Sequence, residues 1–445
     1  LVQTGGVFSL SNGTVTMAGV GATLSPSSSA VFNHLVVETG ASVAFSSVTV
    51  AGNLAVKVGG TLTLSPGAVL RARGQLTQAG VVVSSFSEVV FAGTALQTAR
   101  WSNYGVLRAS NPAGVALVPA SGSSVALTGS FLIEPGAAVS LGGARLEVGG
   151  HWSSSGSFSA GGGTVAFVGP GAQSLLSGAT QFAYLESAST SGVRWATGVV
   201  VANAVTFTTG TADLGTATHS IRGGWLVPSG AVFSGSSGTV LFDGSLRQTV
   251  QSSTGSRFGR FVSSNPAGVT LGSDAVIDGD LELVRGALDL STRTVRLRGA
   301  QRRTAGLTPA TSTTHVLDGT AVQALSMAGG AVSGLVVANS SGGARLDDAL
   351  VVRGTFTVLP GAVFDGAASS LTVSGAGSAW STAGADYRSE ATHAVLWSPA
   401  AGPRLHVADG STVSAHVGVV GPVRLAGRFY VTGSSSSLDV AFGGS

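Results

Sequence analysis

The chain repeats itself about every 75 residues, and that period limits what it can fold into more than any other feature. A segment reading Thr-Val-x-Phe-x-Gly recurs, with almost evenly spaced closing glycines at Gly19, Gly93, Gly169, Gly244 and Gly319. Gln97, Gln173, Gln248 and Gln323 each stand four residues beyond the last four of these glycines, and Thr23 holds that place in the first copy. A second series follows Val-rich stretches at Gly52, Gly129, Gly279, Gly354 and Gly427, with Asn203 in the missing place. Asn tolerates the left-handed backbone as Gly does, so a left-handed turn is expected at all six positions. One such repeat cannot bury its own apolar face, so copies must stack. The copies run 13–86, 87–162, 163–237, 238–312 and 313–387, with a divergent, partial sixth at 388–445.

Within the copies the apolar residues alternate with period two. Leu281 and Leu283 alternate with Asp280 and Glu282, and Val295 and Leu297 with Arg296 and Arg298. Such alternation places one face of a strand in a core and the other in solvent. The runs are four to six residues long and end in Gly, Ser, Asn-Pro or Pro-Gly, which form turns. No stretch carries the three- and four-residue spacing of an amphipathic helix. The expected fold is all-β, one continuous solenoid over 1–445, with each repeat wound as roughly three coils of about 25 residues and the whole chain as roughly 18 coils. A string of separate β-sandwiches, one per repeat, is the competing architecture, but strand-like alternation continues across every repeat boundary. A propeller fits less well, because its blades repeat at about 40 to 50 residues.

Composition narrows the chemistry. With 44% hydrophobic and only 10% charged residues, the chain is no disordered linker. It has no cysteine, so disulfides, thiolate metal sites and a cysteine nucleophile are excluded. The net charge of +3 comes from 22 arginines and the single Lys57 against 20 acids, which gives no dense basic face for nucleic acid. No apolar run is long enough for a transmembrane helix. The chain starts at Leu1 without a signal peptide in view, which reads as a processed chain or as the ordered part of a larger one.

The segment Gly149-Gly150-His151-Trp152-Ser153-Ser154-Ser155-Gly156-Ser157-Phe158, continuing through Gly163–Gly169 to Gln173, recurs as Gly223-Gly224-Trp225 to Gln248. It resembles a repeat of large secreted and cell-surface bacterial proteins of the adhesin and autotransporter-passenger kind. That resemblance implies a right-handed parallel β-solenoid (β-helix) and an extracellular scaffold or adhesin. It implies no particular ligand, and no membrane barrel follows the repeats here.

The residue types capable of chemistry lie largely outside the period. Asp347-Asp348 is the one adjacent acidic pair, and Asp278 and Asp280 flank Gly279. Either pair suits a cation or glycoside chemistry, yet Asp is also common at turns, and no His stands near in sequence. The histidines are His34, His151, His219, His315, His393, His406 and His416, without HxH or HExxH spacing, and His315 and His393 read as repeat-equivalent. There is no GxSxG elbow, and a P-loop is impossible because Val58 follows Lys57. The four glutamines suit either sugar hydroxyls or backbone groups at a turn, the second being the simpler reading. Trp101, Trp152, Trp195, Trp225, Trp380 and Trp397 would stack on sugar rings if exposed, or pack over a coil if buried. Arg293, Arg296, Arg298, Arg302 and Arg303 form the densest charge cluster, either a patch for an anionic ligand or a solvated face.

Taken together, these features point to a non-enzymatic, cofactor-free structural scaffold or fibre-forming surface protein, secreted or on a bacterial cell surface. Its expected partners are copies of itself, joined through strand edges at the solenoid ends, or flanking domains. An adhesin for polysaccharide or a host receptor is the alternative, and a carbohydrate-active enzyme the third reading.

Overall fold

A computed structural model of the chain describes residues 12–24, 31–119, 124–178, 180–290, 292–304 and 314–366, then mainly strands up to Val440–Ala441, with side chains as far as Leu371. His393, His416 and Gly427, and the side chains of Thr23, Trp380, Trp397 and His406, lie outside these residues. The chain falls into two compact units, Leu1–Ala217 and Thr218–Ser445.

Every described element is a β-strand, and every described pairing is parallel. In the first unit most strands pair with the one three places further along. Thr14–Met17 pairs with His34–Val37, which pairs with Leu54–Val56 and then Leu76–Gln78. Three ladders result, and they are the three walls of a coil. The third wall begins at Val31–Phe32 and climbs ten strands to Gly210–Asp213. One coil carries Phe32 to its partner Val50, and a longer one carries Ala109 to Ile133. The first, 18 residues long, is shorter than the coil length expected from the sequence, and the second, 24 residues long, meets it. On the second wall no pairing joins Val81–Val83 to Asn103–Tyr104, and the ladder restarts there.

The second unit is built the same way. One of its walls climbs ten strands from Thr218–Ile221 to Thr412–Ser414. Ala275–Ile277 and Thr294–Leu297 belong to another wall, and Leu350–Val352 and Leu371–Ser374 to a third. The chain is therefore an all-β parallel solenoid within each unit.

The core is made of columns. On the third wall Val89, Leu107, Phe131, Trp152, Leu175 and Trp195 stand directly above one another, all of them buried. Trp152 packs against Phe131, Phe158 and Phe182 at ring-centre distances of 4.7, 4.9 and 5.2 Å. Alternation explains the columns. Each strand sends every second side chain inward, and parallel register carries that choice from coil to coil. An apolar side chain buried this fully contributes about 1.5–3 kcal/mol.

The repeat period is not a whole number of coils. From Thr14–Met17 to its copy Glu88–Phe91 the chain passes from the first wall to the third, and the next copy, Thr164–Phe167, lies on the second. Each step advances the chain by three coils and two thirds of a fourth, where the sequence suggested roughly three. The second unit repeats the shift. Thr239–Phe242 and its copy Thr314–Leu317 stand on different walls.

Candidate functional site

The repeat's own signature forms a cross-coil clasp. At Gln97 the side-chain Oε1 accepts the peptide N–H of Gly93 at 2.9 Å, while Nε2 donates to the carbonyls of Ala72 and Gly74 in the preceding coil. From the following coil, Asn111 Nδ2 donates to the same Oε1 at 2.9 Å. Gln173 bonds Gly169, Val148 and Gly150; Gln248 bonds Gly244, Ile221 and Gly223; Gln323 bonds Gly319, Leu297 and Gly299. Asn265 and Asn339 repeat the part of Asn111. In the Gln173 copy Ser189 stands there, and its hydroxyl donates to the Gly169 carbonyl. All four glutamines are buried. An amide that donates and accepts is the side chain able to satisfy carbonyls and an N–H at one corner.

The glycines of both series are required by space. None of Gly93, Gly169, Gly244, Gly319, Gly52, Gly129, Gly279 or Gly354 has a positive φ. Instead a Cβ at Gly93 would lie 2.5 Å from the Arg73 carbonyl oxygen, and one at Gly279 2.5 Å from that of Gly259. The left-handed turn expected at the second series is thus corrected, because the coil beneath comes too close for any side chain. Gly19, in the first copy, is the exception, with φ near 126°. Asn203 avoids the clash differently. Val200–Phe207 runs through the corner as one unbroken strand, and Asn203 is exposed upon it.

The candidate acidic residues are already engaged, most of them across coils and Asp347 within its own coil. Asp348 accepts hydrogen bonds from the Met327 and Ala328 amides and the Ser326 hydroxyl, and Asp347 pairs with Arg345. Asp278 pairs with Arg257 and Arg298, while Asp280 caps the Ala300 amide and pairs with Arg302. Arg296 pairs with Asp318. The arginine cluster is therefore largely neutralised and is also split. Arg296 and Arg302 sit on strands of different walls, Thr294–Leu297 and Gln301–Arg303. Arg293 and Arg303 have no acidic partner among the described residues, and burial holds the Arg303 guanidinium below its usual range. Spacings of 20–22 residues between Arg and Asp hid these pairs in the sequence.

Histidines also serve the backbone. His34 Nδ1 accepts the Asn53 amide and His151 Nδ1 the Ser174 amide, each at 3.0 Å and each one coil on. His315 is buried at an inward position of its strand, with Nδ1 3.0 Å from Gln301 Oε1, and burial lowers its pKa to about 4. Among the described residues no three His, Asp or Glu side chains gather as a metal site would require. Trp101, Trp152, Trp195 and Trp225 are all buried, so none offers a face to a ligand. No described helix is long and apolar enough to cross a membrane.

No protein-family model, no curated protein and no solved structure matches this chain.

Proposed function

We propose that the chain is a structural scaffold, an extracellular, fibre-forming or surface-attached protein whose task is mechanical continuity. The observation that carries this reading is the clasp. One buried glutamine ties its own corner to the preceding coil, and in three of the four copies an asparagine of the following coil completes it. A net value of about 1 kcal/mol per hydrogen bond makes each clasp a substantial lock between coils. Salt bridges such as Glu88–Arg108–Glu134 run in the same direction, spanning three successive coils. The most polar side chains of the repeat are thus spent on holding neighbours together.

The partners proposed are copies of this chain or flanking segments of a longer one. Parallel strands present open backbone groups wherever a stack ends, and such edges pair with further strands. Electron microscopy of the purified chain over a concentration series tests the proposal. Filaments that lengthen with concentration support it, and uniform short particles at the highest concentration count against self-assembly.

A further inference from the structure

The corner at Asn203 departs from the repeat in a way the scaffold role does not require. In the coils below it, the first and second walls are joined by loops that turn outward. Gly142 and Gly143 lie in one and Gly161 and Gly162 in the next, all four with positive φ. The two loops stack closely, since a Cβ at Gly161 would lie 3.2 Å from the Gly143 nitrogen. The next two coils have no loop at this corner. Gln181–Ser187 and Val200–Phe207 run unbroken from wall to wall. Phe182 pairs with Val201 and Tyr184 with Ala204, so Ala183 alone faces both Ala202 and Asn203. That is a β-bulge, a device that re-aims side chains and is common beside binding sites.

A cleft of about 400 Å³ results, bounded by Ser159–Gly162 on one side and by the two unbroken strands on the other. This is within the size range of ligand sites. Phe158 and Phe182 lie in its lining and pack on the buried Trp152, which makes that part rigid. Gln181 and Asn203 are exposed in it, and neither side-chain amide is hydrogen-bonded to another described group. The peptide N–H groups of Gly161 and Gly162 are likewise unbonded among the described residues. No lining residue is charged.

We propose that this cleft binds a neutral oligosaccharide. Free amides both donate and accept, as pairs of sugar hydroxyls require, and the small Ala and Gly surfaces of the lining leave room for the apolar faces of sugar rings. The absence of charge in the lining disfavours phosphorylated or uronic acid ligands, which would lose hydration without gaining a counter-charge. This site shares no residue with the clasps, so it stands or falls independently of the scaffold role.

The test is a titration of the full chain, ¹⁵N-labelled at Asn and Gln, with cellohexaose, maltohexaose, xylohexaose and chitohexaose, and with hexagalacturonate as the anionic control. The expected result is saturable shifts of the Asn203 and Gln181 side-chain amides with at least one neutral probe. Gln181→Ala with Asn203→Ala should weaken that probe by about tenfold or more, the loss of one or two net hydrogen bonds. Ala202→Trp, which fills the cleft and keeps both amide side chains, should abolish binding, while Arg296→Ser should leave it unchanged. No shift with any neutral probe, tighter binding of hexagalacturonate, or affinity unaffected by both cleft variants would each overturn the proposal.

Discussion

Two corners of the first unit, Gly169 and Asn203, stand less than two coils apart and solve the same steric problem in opposite ways. At Gly169 the strand ends, the chain bends, and the backbone passes so close to the Gly149 carbonyl that only hydrogen fits. Gln173 then satisfies the groups that the bend leaves unpaired. At Asn203 the strand continues through the corner, and a β-bulge takes the place of a loop. The first solution spends its polar side chain inside the protein. The second leaves its polar side chain facing water. A repeat protein thus gains an accessible site by omitting a corner, without adding any new element.

Substitutions should separate the two. Gly169→Val is expected to have the largest effect, a loss of about 3 kcal/mol or more, because the coil beneath cannot yield. The check is the denaturant midpoint, together with hydrogen exchange in Gln173–Leu176. The clasped corner at Gly319 has a weakness that the one at Gly169 lacks, since His315 stands where Val165 does. Its pKa falls from an unfolded value near 6.5 to about 4 in the folded chain. The folded form is favoured above pH 6.5, where His is neutral in both states. Stability then declines as pH falls towards 4, because only the unfolded chain takes up the proton. The drop should total about 3 kcal/mol by pH 4, at 1.36 kcal/mol per unit. His315→Val with Gln301→Leu should flatten that slope in a pH series of melts, while a slope unchanged in the double variant would refute the assignment.

Gln173→Leu comes next, at about 2 kcal/mol, since it strands one N–H and two carbonyls. Protection lost at the Gly169 amide would show that the clasp itself has opened. Arg108→Gln should cost no more than about 1 kcal/mol and less at high salt, because both of its ion pairs are partly exposed. Asn203→Ala should lie within about 0.5 kcal/mol of the parent. A large loss there would mean that the unbroken corner depends on its side chain and that the two corners are not opposites.

Much of this was legible in the sequence, and the parts that were not share a cause. The alternation of Leu281 and Leu283 with Asp280 and Glu282 gave away the strands. The fixed four-residue step from Gly93 to Gln97 marked the clasp, because both partners belong to one corner. What escaped reading depends on the coil above or below. Asp278 meets Arg298 only through a register that no local pattern reveals. Asn203 looked like a turn residue because its series-mates are glycines, yet their reason for being glycine is a carbonyl one coil away. The coil count slipped for a related reason. A coil's length is set by which strand pairs above which, and Phe32 already returns to Val50 after 18 residues, so more coils fit into a repeat than turn spacing suggests.

The shift of each copy by one wall has a consequence for how such a chain can change length. Because the same signature is accommodated on each of three walls, no wall is privileged, and a strand does not need to know which one it occupies. Duplicating a single block would rotate everything after it by a third of a turn and still leave every strand a fitting neighbour. A sequence with this freedom can grow or shrink by recombination at almost any block boundary, and its rule for extension resembles a screw thread more than a stack of plates.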